Sequence, residues 1–426
     1  MEYEKFLKKN KEEMISALQE VVRINSEEGE SFVCQDETVY PFGQGIQKAF
    51  EATLDIGRRL GFQVKNVDNY GGHIDFPGTG DKIMAILGHI DVVPAGKGWK
   101  YDPYGGEIAD GKIYGRGTSD DKGPVISCLY AMKALKDAGY KPSTTIRVIL
   151  GLDEESEWTG MDYYFSKERR PDFGFTPDAD FPLINREKGI LVFELARKFG
   201  KAKSEGLDLR SVKGGNAPNS VADSCRAVLS SRDSGRYERV KEKLAEYRDE
   251  TGYKISCRGL GKSLEITTSG ISAHGAKPEA GLNAISIMMD FLGRLNFASD
   301  DQNDFISFYN QYIGFDLNGR KLGVDFEDEQ SGRLIFNVGM TEINTEAGKF
   351  TINIRYPVTY EDNQIYEPME PVLTKYDIGL VKLNSKAPLY IDENDPLITT
   401  LLEIYKKHTG DEGAEPLVTG GGTYAR

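Results

Sequence analysis

Two short apolar runs, at 83–88 and 144–152, flank a stretch in which Val125, Cys128, Leu129, Met132 and Leu135 recur at i, i+3, i+4, i+7 and i+10. A strand-length run on each side of an amphipathic helix closed by Gly139 is the pattern of a mainly parallel sheet covered by helices, and it constrains the fold more than any other feature. The same region offers a further strand-like run at 62–67. It also offers helical patterns at 3–23, with Phe6, Met14, Ile15, Leu18, Val21 and Val22 among charges, and at 44–60, stopped by Gly61. Beyond about Asn185 the texture changes. Strand-like runs at 190–198, 263–269, 334–338 and 349–355 alternate with two helices, one carrying Tyr237, Val240, Leu244 and Tyr247, the other Leu282, Ile285, Met289 and Leu292. This predicts a separate α+β domain. Near the end, Asp395-Pro396 opens a helix that Gly410 ends. The expected fold class is therefore α/β: a mixed, mainly parallel sheet flanked by helices, with an inserted α+β domain.

At 426 residues the chain is long enough for two or three domains. Its net charge of −14, with no basic stretch longer than Arg-Arg or Lys-Lys pairs, repels phosphate backbones and argues against a nucleic-acid partner. No run approaches the roughly 18–20 apolar residues that span a bilayer, so no membrane partner is expected. Cys34, Cys128, Cys225 and Cys257 show no Cys-x-x-Cys spacing and cannot form a disulfide framework. The start, Met1-Glu2-Tyr3-Glu4-Lys5, lacks a secretory pattern, and the expected compartment is the cytoplasm.

Four chemical features follow one another along the α/β region. His89 and Asp91 stand two residues apart at a strand end and point to the same side, where a carboxylate can fix the tautomer of a metal-binding imidazole. The turn Gly115-Arg116-Gly117-Thr118-Ser119-Asp120-Asp121-Lys122-Gly123 feeds a helix but lacks phosphate-loop spacing and carries carboxylates where a phosphate needs bare amides. Asp153-Glu154-Glu155 follows a buried strand directly, the end of an open sheet where sites lie. Asp178 sits in a turn bracketed by Pro177 and Pro182. Taken singly, each reads as a structural histidine, a helix cap, an acidic helix start or a loop. Taken together, the acids balance two divalent cations: Asp120, Glu155, Asp178 and a hydroxide bring four negative charges against four positive ones.

These motifs, with Gly215–Asp223, Gly270-Ile271-Ser272-Ala273-His274-Gly275, Asn353-Ile354-Arg355-Tyr356-Pro357-Val358 and Gly420-Gly421-Gly422-Thr423-Tyr424, resemble the co-catalytic zinc peptidases that include carboxypeptidase G, aminoacylase and succinyl-diaminopimelate desuccinylase. Within that group they look most like the peptidase V, carnosinase-like dipeptidases. The resemblance implies that Asp120 bridges two metals, His89 and Asp178 complete one site, Glu155 binds the other metal, Glu154 is the general base and Asp91 orients His89. It implies that His274 and Asn219 reach the substrate carbonyl, and that Arg355 with Gly420, Gly421 and Gly422 holds the terminal carboxylate. Residues 1–186 and 385–426 would form the catalytic domain and 187–384 a lid of two similar halves, working as a monomer.

The expected activity is metal-dependent hydrolysis of dipeptides, of broad or Xaa-His/β-alanyl type, by a metal-activated water with Glu154 as base. Zinc is the expected ion, with manganese as the alternative. The sequence stops at Arg426, directly after the glycine turn, whereas the family carries a final His further on. A second metal site left incomplete, and low activity of the chain as given, are therefore expected. His73, after Tyr70-Gly71-Gly72, reads as a solvated turn residue, and His408 as a surface residue in the last turn of a helix. The rival readings are an N-acyl amino acid deacylase on the same site and an inactive peptide-binding relative.

Overall fold

The computed structural model describes residues 2–201 and 206–426. Its contacts group the residues up to Asp180 with Thr423–Ala425 in one unit, and Phe181–Gly422 with Arg426 in a second. This grouping differs from the partition expected from sequence in where 181–186, 385–422 and Arg426 fall. Ile184–Glu187 pairs with both Leu389–Tyr390 and Leu417–Thr419 in a three-stranded sheet of the second unit.

The first unit is built on a five-stranded sheet. Its strands, in chain order, are β1 (Gln63–Val67), β2 (Gly71–Phe76), β3 (Ile83–His89), β4 (Thr145–Gly151) and β5 (Phe173–Phe175), and their spatial order is β1-β2-β4-β3-β5. Strand β3 runs parallel to β4 and β5, while β2 is antiparallel to both β1 and β4, so the sheet is mixed as expected. The crossover from β3 to β4 passes through the helix Lys122–Asp137, whose Val125, Ile126, Leu129 and Met132 are buried in the core with Ile86, Val148 and Leu150. Parallel strands need such a crossover, and the helical apolar stripe is what seats it on the sheet.

Three local readings change. The helix expected at 3–23 is two, Glu2–Lys9 and Lys11–Val22, broken at Asn10, whose side-chain amide donates to Asp137 Oδ2 at 3.3 Å. His73 is not solvated: it lies in β2, 5% exposed, with Nδ1 2.8 Å from the Tyr164 hydroxyl. The Gly71-Gly72 pair that suggested a turn is strand, because a Cβ on Gly72 would meet the Phe50 ring at 2.7 Å and the Lys65 carbonyl at 2.5 Å. A helix not read from sequence, Asp300–Tyr312, is capped by Ser299 and buries Phe305, Ile306, Phe308 and Tyr309.

The second unit carries an eight-stranded sheet, entirely antiparallel at its paired neighbours. Four neighbouring strands come from 208–269 and four from Gly189–Lys198 and 335–386, and they meet where Asp208–Gly214 pairs with Ile335–Ile343. Helices Gly235–Thr251, Ala284–Leu292 and Asp300–Tyr312 supply Val240, Leu244, Ile285, Met289, Phe305 and Tyr309 to the core of this unit. The last helix, Pro396–Thr409, begins with Asp395 Oδ1 accepting the Leu397 amide and ends at Gly410, as read from sequence. No helix among the described residues is long and apolar enough to cross a membrane.

Candidate metal and substrate sites

In the first unit, His89 ends β3 and Asp153-Glu154-Glu155 follows β4, so the parallel pairing of the two strands delivers both to the same sheet edge. His89 is 1% exposed, with Nε2 2.9 Å from Asp120 Oδ1 and 3.7 Å from Asp178 Oδ2. Its Nδ1 is 3.0 Å from the Asp91 carbonyl oxygen and 3.3 Å from Asp91 Oδ1. The other Asp91 oxygen accepts the Glu155 amide at 3.0 Å. Two overlapping groups, His89 with Glu154 and Asp178, and His89 with Asp120 and Glu155, each bring their donor atoms within 4.8 Å of one another. All four expected ligands therefore converge. Glu154, expected to remain free as base, stands with His89 and Asp178.

The electrostatics of this cluster suit a cation. Burial pulls the His89 pKa down, but hydrogen bonds to Asp120, Asp178 and Asp91 outweigh it and leave the ring well above its ordinary value. Asp120 is held below the usual carboxylate range chiefly by its hydrogen bond to His89. Burial, with Asp178, Glu155 and Asp91 nearby, pushes Glu154 up to about 8, and partial burial with Asp120 pushes Glu155 up to about 7. Among the described residues, Glu154 Oε1 has no hydrogen-bond partner although it is buried. One imidazole among closely set carboxylate oxygens is a donor set that fits divalent ions.

Sequence reasoning missed the residues behind the expected ligands. Asp121, fully buried, accepts the His89 amide at 3.1 Å, and burial pushes its carboxyl up to about 8. Lys122, also fully buried, donates from Nζ to the carbonyls of Ile24 at 2.9 Å and Val21 at 3.2 Å, tying the turn to the N-terminal helical region. Their signal was present as the Asp-Lys pair after the glycine turn, but nothing in the letters separates a ligand from its support.

In the second unit the expected substrate residues also lie together. Arg355, on Ala347–Tyr356 and 5% exposed, donates from Nε to Asn353 Oδ1 at 3.0 Å and from Nη1 to the Gly420 carbonyl at 2.9 Å. Burial, then the charge of Arg426, lowers its pKa to about 10, which leaves it cationic at neutral pH. Arg426 is itself committed: it pairs with Glu187 at 2.7 Å and donates to the carbonyls of Lys188, Ala387 and Gly421. Asn219 and His274 sit on adjacent loops, joined by the Gly275 amide donating to the Asn219 carbonyl at 2.7 Å. The His274 Nδ1 accepts the Ala276 amide at 3.1 Å. Partial burial, then Arg355 and Lys277, hold that imidazole below its ordinary pKa, so the neutral ring carries its proton on Nε2.

The profile of Peptidase family M20/M25/M40 matches residues 85–426. The Bacillus subtilis protein named "Putative dipeptidase YtjP" is 36% identical over 433 residues, covering 100% of this chain and 90% of its own length. The Beta-Ala-Xaa dipeptidase of Lactobacillus delbrueckii subsp. lactis is 35% identical, with 100% and 89% covered. Among solved structures, human carnosine dipeptidase 1 is similar in fold, with a TM-score of 0.54 at 16% identity over 99% of this chain and 88% of that one.

Proposed function

The chain belongs to Peptidase family M20/M25/M40, and from that premise we propose that it is a metallodipeptidase that hydrolyses unblocked dipeptides, Xaa-His or β-alanyl dipeptides among them. The observation that carries the reading is the convergence of His89, Asp120, Glu154, Glu155 and Asp178 at one sheet edge. In this reading His89, Asp120, Glu155 and Asp178 hold two divalent ions, zinc in preference to manganese. When bound, such ions lower the pKa of a water toward neutrality and polarise a carbonyl.

The remaining work falls to the chain. Glu154 is the base: its buried Oε1 takes the water's proton and returns it to the leaving amine. Asp91 orients His89 and, through its second oxygen, the Glu155 backbone. His274 donates from Nε2 to the substrate's carbonyl oxygen as negative charge develops there, with Asn219 as a second donor. Arg355, with Gly420, Gly421 and Gly422, binds the terminal carboxylate and so fixes the distance from chain end to scissile bond. The segment 187–384 thus supplies substrate-binding groups. The enzyme is proposed to act as a monomer in the cytoplasm.

The test is hydrolysis of unblocked and N-acetylated dipeptides, with and without a chelator. Chelator-sensitive cleavage of the unblocked compounds alone is expected. Cleavage of acylated amino acids alone would select a deacylase, and saturable binding without turnover an inactive peptide binder.

A further inference from the structure

Tyr424 lies outside the ligand set, yet its side chain is directed at the turn that carries the acids. It is 7% exposed, and its hydroxyl donates to Asp153 Oδ1 at 3.0 Å. Its ring stands 5.3 Å from that of Trp158, and a Cβ on Gly151 would meet it at 2.2 Å, so the strand end is shaped to receive it. Asp153 is 2% exposed and saturated from the other side: Oδ2 accepts the Thr159 hydroxyl and the Gly160 amide, each at 2.9 Å. Its carbonyl accepts the amides of Ser156 and Trp158 at 3.3 Å. The turn 153–160 is thus closed on Asp153. Within it Trp158 takes a left-handed backbone with φ +66, which a bulky side chain seldom adopts, and its indole N–H donates to the Glu154 carbonyl at 2.7 Å. Glu155 is held through its amide by Asp91 at 3.0 Å. The backbone of the two glutamates is therefore gripped at one side by Asp91 and at the other by Asp153, whose remaining oxygen is engaged by Tyr424.

We infer that Tyr424 is a positioning residue for Glu154 and Glu155: its hydroxyl anchors Asp153 and thereby fixes the turn that aims both carboxylates. A purely structural aromatic would need only the ring, which phenylalanine supplies equally. The part of the inference read through turnover rests on the dipeptidase reading; the part read through ion affinity does not.

Tyr424→Phe in the full chain keeps the contacts with Trp158 and Gly151 and removes only the hydroxyl. Expected are a roughly tenfold fall in kcat on an unblocked dipeptide with KM within about twofold, since small misplacements of catalytic groups are costly in rate. The zinc dissociation constant, measured by chelator competition on metal-free protein, is expected to weaken several-fold. Placed on an Asp153→Ala background, where no side-chain oxygen remains to accept the Tyr424 hydroxyl, the same substitution should add little further loss. Thermal unfolding of the metal-free proteins corrects both readings for folded fraction. A change in either kcat or zinc affinity that survives this correction supports the inference. It is overturned if both stay within about twofold, or if the two substitutions are fully additive. A parent protein that cleaves no dipeptide would count against the dipeptidase reading and leave the zinc titration to decide the role of Tyr424.

Discussion

The chemistry divides among single side chains whose surroundings differ enough to be told apart. Glu154 has a buried oxygen with no hydrogen-bond partner among the described residues, whereas Asp120 is hydrogen-bonded to His89. In the proposed mechanism the first has an oxygen placed to take a proton, and the second remains an anion. Glu154→Gln should therefore reduce kcat by about 10²–10⁴ while bound zinc, measured by elemental analysis, stays near the parental level. In the proposed mechanism His274→Ala removes a donor and no ligand, so it should cost roughly 10²–10³ in kcat with unchanged metal content. Retention of full activity by either variant would remove that residue from the mechanism. The convergence of His89, Asp120, Glu155 and Asp178 was legible in the sequence from their order at strand ends and turns, and the role of each as a ligand only through the family resemblance. Asp121, Lys122, Asp153 and Tyr424 were not, because a buried carboxylate or lysine that supports a ligand carries no spacing signature of its own.

At the level of elements, the β3–helix–β4 crossover and the strands read at 190–198, 263–269, 334–338 and 349–355 were legible from their apolar patterns, whereas Asp208–Gly214, Ser224–Ser230, Lys254–Leu260 and Gly379–Lys386 of the same sheet were not read. Strand β2 was not, since Gly71-Gly72 is turn chemistry locally and strand only because Phe50 packs against the bare backbone. That strand has a pH consequence. Asp75 of β2 pairs bidentately with Arg147 of β4 at 2.8–2.9 Å, and His73 sits beside them against Tyr164. Burial, reinforced by Arg147 and opposed by Asp75, lowers the His73 pKa from 6.5 to about 4. Between those values the unfolded chain binds a proton that the folded chain does not, so acid favours unfolding. The penalty for burying the neutral His73 ring is absent above about pH 6.5 and grows to on the order of 3 kcal/mol as the pH falls toward 4. Denaturant unfolding across this range should show the slope, and His73→Asn should flatten it; an unchanged slope would assign the acid sensitivity to other groups.

On the scale of the whole chain, each unit has a core of its own. The first is centred on Ile74, Ile86, Leu129, Val148 and Leu150, and the second on Phe193, Ile266, Met289, Phe305 and Phe350. Every expected metal ligand belongs to the first. A ligand that binds only the folded form of one unit stabilises that unit, by about 2.7 kcal/mol at a concentration a hundred times its dissociation constant. For a domain of this size such a gain raises the unfolding temperature by roughly 5–10 °C. Calorimetry of metal-free protein should therefore resolve two transitions, and zinc should move one upward while leaving the other in place. The assignment can be checked on the same traces: His89→Ala should abolish the zinc-dependent shift, and Arg355→Ala should leave it intact. A single transition that moves as a whole, or a shift that survives loss of His89, would mean that ion binding is not confined to the unit that holds these ligands.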